Sequence, residues 1–202
     1  MPTDEIYEKY LQKAITEINE LGDEIAKAAG ERVPVLGSGH PLADVFLLKY
    51  RPQAAEVQEG VAFYGRAGQA LLKSLQRLHV DPLAVYGTNC LKFADQPEAE
   101  AQPWLLRELH IVQPKLLVVM GDEGLHFLNE LEFPLADTLE PKVGELQRFT
   151  PTIEALLVPE LVDLSDGLLQ VLLVDLVGGH GAHRGSLRFS ASGLFPWPAR
   201  PT

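Results

Sequence analysis

Apolar and polar positions change period several times along the chain, and each change marks a new element. In EIYEKYLQKAITEINELGDEIAKAAG (5–30), Ile6, Tyr10, Ile15, Ile18, Leu21 and Ile25 recur mostly at three- and four-residue steps. That spacing predicts one or two amphipathic helices closing at Gly30. ADVFLLKY (43–50) is nearly continuously apolar and reads as a buried parallel strand, although periodicity alone leaves a helical segment open. A loop over 51–62 leads to a helix over Ala67–Leu78, and LAVYGTN (83–89) is the next strand. A polar connection over 93–103 precedes the helix WLLRELHIV (104–112) and the strand PKLLVVMG (114–121). DEGLHFLNEL (122–131) starts a helix with its acids at the positive end of the dipole. TIEALLVP (152–159) reads as a strand, and SDGLLQVLLVDL (165–176) as a helix capped by Ser165 or Asp166.

Strands alternating with helices predict a three-layer αβα fold around a central, mainly parallel sheet. The expected organisation is a single domain over 1–177, including the helical segment 5–30, and a Gly/Pro/Arg-containing tail over 178–202. Ligands of such sheets bind at strand carboxyl ends. Here those ends are Lys49–Pro52, Asn89, Gly121–Glu123 and the region of Ala155–Pro159.

Composition narrows the classes. The 202 residues are 46% hydrophobic and 22% charged, as in one ordinary globular domain. The formal net charge is −11, which argues against tight nonspecific binding to nucleic acid. All 28 acids and 14 of the 17 bases precede Leu176; Arg184, Arg188 and Arg200 follow it without an acid. One cysteine, Cys90, excludes an intrachain disulfide and any four-cysteine metal or iron–sulfur site, so no cofactor is expected. A reducing, cytoplasmic setting is the default. The acidic start MPTDEIYEKY does not read as a signal peptide, and no apolar run approaches bilayer-spanning length, so no membrane is expected.

FYGRAGQALL (63–72) carries the most specific chemistry. A large ring stands immediately before a glycine-rich helix entrance. Either Phe63 is a core residue leading into the helix, or it offers its face to a flat ligand. Asn89 is equally double: a turn residue at a strand end, or a carboxamide reading a ring edge. Cys90 reads as a buried strand-end thiol, Trp104 as helix packing, and Asp122 and Glu123 as a solvated first turn. His180 and His183 in GGHGAHRG read as a tail motif rather than a metal pair or a relocated catalytic histidine.

In order, LGSGHPLADVFLL, the loop with Pro52, EGVAFYGRAGQALL, VYGTNCLK and PWLLRELHIVQPKLLVVMG resemble the uracil-DNA glycosylase superfamily, nearest its family-4 and family-5 branches. The resemblance spans roughly residues 33–131. It implies that Phe63 stacks on a flipped base and that Asn89 reads the edge of that base. It also implies a pocket near Pro52, with Lys49 and Arg51 at a rim where a phosphate approaches. The family's first motif, G-E-A-P-G or G-L-A-P-G, corresponds here to Lys49, Tyr50, Arg51, Pro52 and Gln53. Only the proline survives, and a tyrosine at the acid position cannot serve as a base near neutral pH. The family's His-Pro-Ser motif falls at Ile153, Glu154 and Ala155. The cluster cysteines of family 4 would fall near Gly22, Ile25, Phe93 and Ala101. The expectation is a noncanonical member, catalytically weak or inactive, that keeps a base- or nucleotide-binding pocket. Two alternatives stay open: an active DNA glycosylase of base-excision repair with a rearranged site, and a protein-interaction module on the same fold. Expected partners are DNA or a free base or nucleotide, held weakly, or another protein. Should activity persist, Tyr50, Glu56 and Glu154 are the replacement candidates.

Overall fold

A computed structural model describes residues 2–77, 79–81 and 84–160. The helix expected over 165–176, the tail and its His180/His183 motif lie outside the described residues. Five helices and six strands follow in the order α1 (Pro2–Ala29), β1 (Ser38–Gly39), β2 (Val45–Lys49), α2 (Ala54–Glu59), α3 (Arg66–Arg77), β3 (Val85–Asn89), α4 (Glu98–Val112), β4 (Leu116–Met120), α5 (Asp122–Asn129), β5 (Leu146–Arg148) and β6 (Glu154–Val158). The strands form one sheet ordered β1-β3-β2-β4-β6-β5. Its four central strands are parallel, and short antiparallel strands close both edges.

Each central strand is apolar on both faces, as a covered parallel sheet requires. Phe46 and Leu48 of β2 join a core under α4 and α5, with Leu105, Leu109, Phe127 and Leu128. Val45 and Leu47 join the opposite core with Phe63, Leu71 and Leu75 on the α3 side. The fold is therefore the αβα sandwich with a mainly parallel sheet.

Three local expectations are corrected. The 51–62 connection is not all loop: α2 forms within it and ends at Gly60, which takes φ 70° and donates its N–H to the Glu56 carbonyl at 2.7 Å. Helix α4 begins at Glu98, not 104, and runs through Pro103. Proline removes one hydrogen bond to the residue four positions earlier and usually breaks a helix interior. Here that lost bond is to Ala99, in the first turn, where little helix precedes it. Helix α1 is single and continuous, but its apolar stripe is only partly covered. Leu21 and Ile25 pack with Ala29 and Phe93, whereas Ile6 and Tyr10 are 56% and 64% exposed.

One buried polar network lies under α4. Lys92 Nζ donates to Glu108 Oε2 at 2.5 Å, Thr88 Oγ1 at 2.6 Å and the Asn89 carbonyl at 2.8 Å. Tyr86 and Thr88 hydroxyls also donate to Glu108, at 3.0 and 3.1 Å. Burial, reinforced by the Glu108 charge, pushes the Tyr86 phenol well above its ordinary range. Removing one partner of such a pair strands the other charge in a dry interior. Lys92→Met is expected to destabilise the fold by about 3–5 kcal/mol in chemical denaturation. Adding Glu108→Leu should return most of that loss.

Candidate base-binding site

Side chains alternate faces along a strand, so Lys49 shares the α3 face with Val45 and Leu47, and Asn89 shares it with Val85 and Gly87. Lys49 and Asn89 are register partners in the parallel pair β2–β3. They stand beside each other at the carboxyl end of the sheet, where a ligand site is expected.

Phe63 arrives on the same face from the loop after α2. Its ring lies against Gly87, where an added Cβ would come within 2.6 Å of the ring. Its carbonyl sits against Gly68 of α3, where a Cβ would meet that oxygen at 1.9 Å. The two glycines thus let the loop and the ring settle onto the sheet. Phe63 has φ 60°, a left-handed conformation that is strained for an aromatic residue. A carboxylate holds it there: Glu56 accepts the Phe63 N–H, the Gln53 N–H at 2.8 Å and the Lys49 ammonium. The Lys49 Nζ is 5.5 Å from the Phe63 ring centroid.

Asn89 is fully buried, and neither Oδ1 nor Nδ2 has a hydrogen-bond partner among the described residues. Buried amide groups are rarely left unpaired, because desolvation without compensation costs about 1–3 kcal/mol. Its main chain, in contrast, is held from the other face through the Lys92 contact to its carbonyl. A cavity of about 280 Å³ opens beside Phe63 and Gly87, bordered by Ser38, Gln69 and Lys73 of the α3 side.

The sequence-predicted residues separate as follows. Phe63, Asn89 and Lys49 come together; Pro52 is buried in the loop between Lys49 and α2. Lys49 is not at a rim. It is 3% exposed and paired with Glu56, and burial pulls its pKa down while Glu56 lifts it. Arg51 is exposed but engaged, donating to Glu123 at 2.8 Å. Tyr50, at the family's acid position, donates its hydroxyl to Glu98 and lies on the α4–α5 side, edge-on to Phe127. That hydrogen bond, aided by partial burial, pushes its pKa up to about 12. Cys90 is buried and its thiol is pushed up by desolvation. The Glu56 hub and the Lys92–Glu108 pair were the main omissions. Their signal is a charge at a core position: Glu108 falls on the helix face of Leu105, Leu109 and Val112.

The cluster-cysteine positions do not fit an iron–sulfur group. Ile25 and Phe93 fill that region with an apolar contact set, with Phe93 edge-on to Trp104 and the Arg32 guanidinium 4.2 Å from the Phe93 centroid. Among the described residues no group of three or more His, Cys, Asp or Glu gathers to hold a metal.

A parallel sheet with a loop-borne aromatic and a strand-end carboxamide at its carboxyl edge is the frame of a base-handling α/β protein. The profile described as the uracil DNA glycosylase superfamily matches residues 36–165, and the chain belongs to that superfamily. It is 26% identical over 133 residues to a Type-4 uracil-DNA glycosylase of Archaeoglobus fulgidus, covering 60% of this chain and 67% of the relative. A Type-4 uracil-DNA glycosylase of Pyrobaculum aerophilum is 32% identical over 119 residues, 55% of this chain and 61% of its own. One of Sulfurisphaera tokodaii is 29% identical over 103 residues, 46% and 47%. The matches thus span about half to two thirds of these relatives.

The Tyr50–Glu98 contact has a pH signature. The folded-state pKa is raised above the free value of 10, so the stabilisation is complete below pH 10 and disappears as pH rises through about 12. Denaturation midpoints should fall across that window, and less steeply in Tyr50→Phe.

Proposed function

We propose that this chain is a noncanonical member of the superfamily that binds a nucleobase at Asn89 and Phe63 and excises uracil slowly or not at all. The observation that carries the reading is the Asn89 carboxamide, buried and unpaired beside an aromatic ring held in a strained conformation. A base edge supplies the missing donor and acceptor, and the ring supplies stacking worth ~1–3 kcal/mol per base.

Weak excision follows from where the acids are. Tyr50 stands at the motif's acid position, keeps its proton near neutral pH and is turned to Glu98. Glu56 is the nearby carboxylate, but three donors already occupy it. Ile153, at the position of the family's histidine, is buried and apolar. A role alongside base-excision repair with DNA as the substrate-bearing partner fits the superfamily. Among the described residues no helix is long and apolar enough to cross a membrane.

A second reading, excision of a base other than uracil, is favoured by the buried Lys49 ammonium. A fixed positive charge stabilises negative charge building on a departing base, and that can drive cleavage without a general base.

The test pairs excision assays on uracil-, hypoxanthine- and xanthine-containing single strands with binding of free bases. The first reading predicts no or slow release from every strand and measurable base binding. Robust uracil turnover contradicts it, and turnover on a different base supports the second reading. Asn89→Ala should lose binding with little change in melting temperature. Phe63→Ala removes a 4%-exposed side chain and should lower both stability, by about 3–5 kcal/mol, and binding per folded molecule. Loss of stability alone would make Phe63 only a core residue.

A further inference from the structure

Lys49 stands where the superfamily motif has a glycine, and the sheet register puts it next to Asn89. The two residues are paired partners on adjacent strands and project from one face, with backbones about 5 Å apart. Asn89 contributes an N–H₂ donor and a carbonyl acceptor, both without partners among the described residues. The Lys49 ammonium has three N–H donors, and Glu56 takes one of them. With the amide oxygen in the middle, the pair presents donor, acceptor, donor along the sheet edge.

The complement of that edge is acceptor, donor, acceptor: a ring N–H flanked by two carbonyls. We propose that Lys49 is a specificity-determining residue that makes the Asn89 site select cyclic imides, such as the uracil, xanthine and hydantoin rings, over lactams with a single carbonyl. This inference rests on the base-binding reading above. In it, Asn89 holds one carbonyl and the N–H, and Lys49 donates to the second carbonyl. The ligand is the neutral imide, because the Glu56 carboxylate already balances the ammonium and Glu160 adds further negative potential. Phe63, under the same ammonium, packs the ring side of the site.

Two rings of equal size isolate the second carbonyl: uracil has it, and 4-pyrimidinone lacks it. Calorimetric or NMR titration of the full chain should show uracil binding about tenfold tighter, as expected for one charge-assisted hydrogen bond. Lys49→Met should erase that preference while binding 4-pyrimidinone as the parent does. Since that change leaves Glu56 without its cation, Lys49→Met/Glu56→Gln serves as the second variant, with thermal melts confirming that it is folded. Equal affinity for the two rings in the parent, or a tenfold preference that persists in either folded variant, overturns the role of Lys49 and leaves the base site standing. No binding of either ring overturns both.

Discussion

The carboxylate of Glu56 ties together everything at the carboxyl end of this sheet. It is buried, and it accepts from the Lys49 ammonium at the end of β2, from the Gln53 N–H before α2 and from the Phe63 N–H after it. One side chain therefore fixes a strand end, a short helix and the aromatic loop. It also sets the unusual backbone of Phe63, whose ring could not lie against β3 unless position 87 were glycine. Charge-assisted hydrogen bonds of this kind are stronger than neutral ones, and they suit a segment too short to hold its place by packing alone.

The second buried lysine–glutamate pair lies across the sheet and completes the arrangement. Lys92 and Glu108 grip Thr88 and the Asn89 carbonyl from the α4 face. Lys49 and Glu56 stand beside the Asn89 side chain on the opposite face. Buried ion pairs often contribute little net stability, because desolvation opposes their attraction. Their placement on both sides of one unpaired carboxamide gives them a different physical role. They hold the Asn89 main chain still and leave its amide to meet a ligand.

The sheet was legible because its four central strands are compact apolar runs, and the αβα layering follows from their alternation with helices. The element edges were less so. Pro103 reads as a helix stop, yet α4 passes through it near its first turn, where few hydrogen bonds are at stake. Helix α2 was invisible because AAEVQE lacks an apolar period; capping by Glu56 and the left-handed Gly60 makes it. At the site, Phe63 and Asn89 were readable from their positions at strand and loop ends. Lys49 was misread as a rim residue because lysine is almost never fully buried unless paired. Its partner lies seven residues away, across a turn that only the folded chain shows.

The central claim is that the Asn89 carboxamide meets a base. Side-chain amide NMR of the ¹⁵N-labelled chain reports on that group directly. The account predicts that the Asn89 Nδ2 resonances shift saturably as uracil is added, together with resonances around Phe63. Asn89 resonances that stay fixed through the titration, with any changes confined to exposed residues, would contradict it.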